Sequence, residues 1–207
     1  MKTMKHLFAC VAFLLCPLFW VETYGAVLTK ECSGQFVEQM SKAYDYFSRH
    51  DRMPDAIRVG GKEFNSGMML SASYNLVRKM MAEPQTWMQS DIEYSDSYLC
   101  PDNERNNTLD IDEIALKDLI KLAENAHVFA QKNGVFPNYC TVDSGHKDPD
   151  GSEYPTQMII NAISISFARV FHHYANNGVL PEKVCTWHSD FLRSTANSPK
   201  GNALVKS

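Results

Sequence analysis

A surplus of positive charge is missing from this chain, in which 20 Lys and Arg stand against 24 Asp and Glu for a net charge of −4. Phosphate backbones and anionic membrane surfaces are held by clustered cations, so nucleic acid is excluded as an expected partner. Glycine and proline are also scarce, at 10 and 9 in 207 residues, and that excludes collagen-like and low-complexity chains. Disorder requires low hydrophobicity, whereas 44% of these residues are apolar. No cysteine pair has the C-x-x-C spacing of a redox or zinc site. The apolar run 7–21 is interrupted by Pro17 and falls short of the roughly 20 residues of a spanning helix.

What that run does have is the order of a secretory signal. Lys2 and Lys5 precede it, and Thr23, Tyr24 and Gly25 follow as a polar, partly small stretch. Residues 1–25 are therefore read as a signal peptide. The expected product is secreted, periplasmic or at the cell surface, with no transmembrane anchor in the mature chain. Cys10 and Cys16 leave with the signal. Cys32, Cys100, Cys140 and Cys185 remain, an even set bound for an oxidising compartment, which predicts two disulfides.

Three segments align without gaps around a proline: AYDYFSRHDRMPDAIRV (43–59), AHVFAQKNGVFPNYCTV (126–142) and VFHHYANNGVLPEKVCTW (170–187). In each, an aromatic-rich helical stretch stops at Asp51, Gly134 or Gly178, and Pro54, Pro137 or Pro181 follows three residues later. Glycine just past a helix accepts a left-handed conformation, Asp less readily, and the proline prevents the helix from resuming. A short β-prone run comes next, at 56–59, 139–142 and 184–187. Beyond the first run, Gly60 and Gly61 turn the chain and Phe64 leads into a helix with apolar pairs at helical period. Beyond the second, Tyr154 takes the place of Phe64, and 158–171 repeats the helical pattern after a longer surface connection, 143–153. Asp110 with Glu113 reads as a capping box opening the helix that carries Leu116, Leu119, Ile120, Ala123 and Ala126.

The predicted fold is mainly α: amphipathic helices in repeated helix–turn–short strand–helix units, with short β-hairpins or strands after each Pro. The expected divisions are 1–25 signal peptide, 26–83 first repeat unit, 84–109 connecting segment, 110–194 second unit with a partial third, and 195–207 a loose tail. One unit buries too little surface alone, so helices of adjacent units are expected to share a core.

The helix, tight turn and x-Leu-Pro-x-x-Val-x-Val-x-Gly-Lys pattern resembles the pseudomurein-binding repeat. Residues 35–80 resemble it along their whole length, with Pro54, Ile57, Val59, Gly60 or Gly61 and Lys62 at the motif positions; 116–171 resembles it with the insertion, and 170–187 is a partial copy. The resemblance implies a non-catalytic module that holds a cell-wall polymer or other envelope glycan, without cofactor. A scaffold that binds a protein partner remains the alternative. Cys140 and Cys185 hold nearly equivalent places in successive motifs; if those strands lie side by side, Cys140 bridges Cys185 and Cys32 bridges Cys100.

Tyr139 and Trp187 flank the β-prone runs and are the candidate ligand contacts, since aromatic rings offer flat apolar faces with polar tips. Phe36, Tyr44, Phe47, Phe129, Phe167 and Phe171 fall at core spacing. A hydrolase or transferase is the rival class, built on Cys140, His146 and Asp143 or Asp148. Cys140, however, occupies the place of Ile57 and is read as buried or bonded. The acids at 148–153 lack the full spacing of a calcium loop, and His172 and His173 are immediate neighbours that point to different sides of a helix, so no metal site is expected.

Overall fold

The computed structural model describes residues 25–101, 113–147, 151 and 153–186. In chain order it contains strand β1 (Ala26–Leu28), helix α1 (Lys30–His50), strands β2 (Ala56–Val59) and β3 (Lys62–Asn65), helix α2 (Ser66–Ala82) and strand β4 (Ile92–Tyr94). There follow strand β5 (Glu113–Ala115), helix α3 (Leu116–Asn133), strands β6 (Tyr139–Lys147) and β7 (Glu153–Ile159), helix α4 (Ile160–Asn177) and strand β8 (Lys183–Cys185). The fold is mainly α, with short antiparallel strand pairs. Within each half the helix–hairpin–helix stretch is closed by its outer strands, β1 on β4 and β5 on β8, while β2 pairs β3 and β6 pairs β7.

Local chemistry accounts for the helix ends. Asp51, Gly134 and Gly178 all take left-handed backbone, with φ of 55°, 71° and 71°. Each donates its backbone N–H to the carbonyl one turn back, on Phe47, Ala130 and Tyr174, at 2.8 Å. Asn65 starts α2 by accepting the Met68 N–H on its side-chain oxygen at 3.0 Å, an N-cap that satisfies a donor with no partner inside the helix.

Helix α1 buries one stripe, Phe36, Val37, Met40, Ala43 and Phe47, and leaves its charged residues outside. Helix α2 is buried almost all round, which its small residues Gly67, Ser71, Ala72 and Ser73 permit. The most extensive helix pairing joins the halves, α1 lying along α4. Phe36 meets Phe171 edge to face at 5.8 Å and Phe64 at 5.7 Å. A single hydrophobic cluster runs from Leu28 to Val184. No helix among the described residues is long and apolar enough to cross a membrane.

Several expectations need correction. The connection 143–153 is not a loop throughout, because β6 and β7 extend into it as far as the pair Lys147 and Glu153, past a register shift between Val142 and His146. Met158, paired with Cys140, holds the place that Phe64 holds opposite Ile57; helix α4 starts only after it. Helix α3 begins at Leu116 with Ala115 as its N-cap, and Glu113 belongs to β5, so the expected capping box does not open it. The described part of the segment 84–109 carries β4 and a 3-10 turn, Trp87–Gln89, whose Trp87 is buried and donates to the Tyr174 hydroxyl at 3.1 Å. Phe129 is 42% exposed and outside the core. The signal peptide, Asp110 and the tail 195–207 lie outside the described residues.

Candidate functional site

The left-handed cap at Gly178 turns the chain out of α4, and Pro181 then directs it into β8, which lies against α4 and pairs with β5. A cleft of about 310 Å³ forms there. Tyr44 comes from α1, His172, His173 and Asn176 from α4, and Lys183 and Cys185 from β8. Arg169 forms part of the wall: it is 8% exposed, donates to the Cys185 carbonyl at 2.8 Å and lies over the rings of Tyr44 and Phe47, each at 5.7 Å. That bond holds β8 against α4. On the α1 side, His172 Nδ1 is 3.2 Å from Ser41 Oγ and 3.6 Å from Asp45 Oδ1, and its ring lies 4.8 Å from that of Tyr44. The wall thus offers an aromatic surface and several hydrogen-bonding groups, the features that hold polar, hydroxyl- or amide-bearing ligands.

Sequence reasoning passed over His172 and His173. The two do diverge on the helix, yet the cleft wraps the flank of α4 and both border it. The signal available in the sequence was the third turn motif, Gly178 to Pro181, whose residues before and after the turn supply most of the wall. Pro181 lines the cleft, whereas Pro54 and Pro137 follow the other two turns. Tyr139 is 50% exposed at the start of β6, opposite Ile159, away from this wall. Trp187 lies outside the described residues.

The strands that carry Cys140 and Cys185 do not lie side by side. Cys32, Cys100, Cys140 and Cys185 carry no S–S bond in this structure, and the adjacency on which a Cys140–Cys185 bridge was expected is absent, since β6 pairs with β7 while β8 pairs with β5. Cys140 is buried against the core, and burial pushes its thiol up to about 11. A thiol so shifted is protonated at neutral pH, the opposite of an activated nucleophile.

A second polar cluster, also missed, sits between the halves. His127 of α3 is buried, with Nδ1 at 2.9 Å from the Ala123 carbonyl and Nε2 at 3.3 Å from Ser71 Oγ of α2. A carbonyl only accepts, so Nδ1 carries the proton and Nε2 accepts from the Ser71 hydroxyl. Ser71 Oγ in turn accepts the Ser95 N–H at 2.9 Å. Tyr74 stacks on the imidazole at 4.4 Å, and Phe136 and Tyr98 meet it edge-on at 5.2 and 6.2 Å. Burial pushes the His127 pKa down to about 4.

Among the described residues no group of three or more His, Cys, Asp or Glu is placed to hold a metal ion. No family model matches the chain, and no curated protein matches it in sequence. The resemblance to the pseudomurein-binding repeat is carried by its motif residues alone.

Proposed function

We propose that the chain is a secreted, non-catalytic repeat protein that holds a cell-wall polymer or other envelope glycan in the cleft between α1, α4 and β8. The observation that carries this reading is the chemistry of the cleft wall, where the Tyr44 ring stands beside His172, His173, Asn176 and Lys183. Aromatic faces stack on sugar rings, and imidazole, amide and ammonium groups bond to hydroxyls, amides and carboxylates.

The reading of the two halves as copies of one repeat has support in paired details. Asn75 of α2 donates to the Glu93 carbonyl of β4 at 2.9 Å, and Arg169 of α4 donates to the Cys185 carbonyl of β8 at 2.8 Å. The two donors stand equally far along their helices from Ser66 and Ile160. Likewise Tyr44 precedes the cap Asp51 by the same interval as His127 precedes Gly134.

A protein partner is the second reading, favoured by the exposure of the adjacent apolar residues Val128 and Phe129 on α3. The deciding experiment is sedimentation of the purified mature chain with insoluble pseudomurein and peptidoglycan as salt is raised. Polymer binding predicts retention that survives salt, because stacking and hydrogen bonds are screened little, and loss of retention in His173→Ala and Lys183→Ala. Absence of retention on both walls would overturn it and turn the search to Val128, Phe129 and a protein partner.

A further inference from the structure

His127 sits at the place where the two halves are tied together. After β4 the segment 95–100 crosses from the first half to the second as a strap. At its start the Ser95 N–H is held by Ser71 Oγ of α2 at 2.9 Å. In its middle the Tyr98 carbonyl lies so close to α2 that a Cβ at Gly67 would overlap it, while the Tyr98 ring covers His127 and Phe136. Near its end Leu99 bridges to Val135, donating to the Gly134 carbonyl at 3.3 Å and accepting the Phe136 N–H at 2.8 Å. Ser71 therefore links the strap to the imidazole through one oriented chain of hydrogen bonds, from Ser95 N–H to Ser71 O–H to His127 Nε2.

We propose that this cluster is an acid-responsive release, in which proton uptake at His127 Nε2 frees the strap from α2 and α3 while the α1–α4 pairing stays in place. A protonated Nε2 directs a hydrogen at a hydroxyl that donates to it in the neutral state, so the Ser71 O–H must turn away from His127 inside the seam that the strap covers. The new cation also stands in an aromatic, desolvated setting. Arg78 of α2 faces the imidazole and opposes a second positive charge. Tyr74 of α2 and Tyr98 of the strap have phenols pushed up by burial and remain neutral. Glu124 of α3 acts on Tyr74, Asp96 of the strap is engaged by Lys62 at 3.4 Å, and the turn after α3 contributes the uncharged Phe136. Because the folded pKa of about 4 lies below the ordinary 6.5, protons favour the open form. The contribution of neutral His127 to the strap's hold is complete above about pH 6.5 and is lost as pH falls towards about 4.

The test is amide hydrogen exchange on the whole mature chain between pH 7 and pH 4, corrected for the intrinsic pH dependence of exchange, together with an NMR titration of the His127 ring. Protection at Ser95 and Phe136 should fall about tenfold per pH unit within that window, about 300-fold in all, while Val37 and Phe171 keep theirs. The neutral variant His127→Gln should show no such slope. Three results would each overturn the release: a wild-type chain whose His127 titrates with the strap still protected, a slope that persists in His127→Gln, or loss of protection at Val37 and Phe171 at the same pH. The wild-type titration decides the matter even if His127→Gln does not fold.

Discussion

Phe36 and Phe171 meet edge to face with ring centroids 5.8 Å apart, and this contact fastens α1 to α4. Both rings are fully buried. Truncating either removes a large apolar side chain and leaves a cavity between elements far apart in sequence. Phe171→Ala should destabilise the chain by about 3–5 kcal/mol, measured by denaturant unfolding, and the loss should appear in both halves at once because one core spans them.

Asp51 is the one non-glycine with positive φ among the described residues, at 55°. It ends α1 as Gly134 ends α3, and a side chain in that conformation is strained. Asp51→Gly should stabilise the chain by roughly 0.5–1 kcal/mol, read as a rise in Tm, whereas Asp51→Val should lower it.

Gly67 in the first turn of α2 reverses the usual preference. Alanine is favoured over glycine in a helix by about 1 kcal/mol, yet a Cβ here would overlap the Tyr98 carbonyl. Gly67→Ala should therefore cost about 1–3 kcal/mol net and expose the Ser95 amide to exchange at neutral pH. Unchanged exchange at Ser95 would show that the strap does not rest on this glycine.

Cys100 and Cys140 both have thiols pushed up to about 11 by burial. In the native, reduced chain these two should resist a thiolate-directed reagent at pH 7.5 and react once denaturant is added. Rapid native labelling of Cys140 would revive the Cys–His enzyme reading that its burial argues against.

Periodicity in the sequence located all four helices of the described residues, since Phe36, Met40 and Phe47 in α1 and Leu119, Ala123 and Ala126 in α3 recur on one buried face. The turns were equally legible, because Gly134 and Gly178, and Asp51 in the same place, are each followed three residues later by a proline that stops the helix from resuming. Strands β1, β4 and β5 were not: three residues are too few to show alternation, and the partner of Leu28 is Ile92, far along the chain. Phe129 misled because one more aromatic at helical spacing looks like core, whereas among the described residues nothing covers that side of α3 and the ring stays 42% exposed. The cleft was hidden for the same reason as β4. It exists only because α1 and α4 come together, and nothing local in Tyr44 or His172 announces the other.

The outer strand pairs carry a topological consequence. Ala26 stands opposite Tyr94, and Glu113 opposite Cys185, so each half starts and finishes at one point on its perimeter. The same adjacency lets a further half be spliced in at that point as an insert, lengthening the protein while its walls and seams keep their geometry.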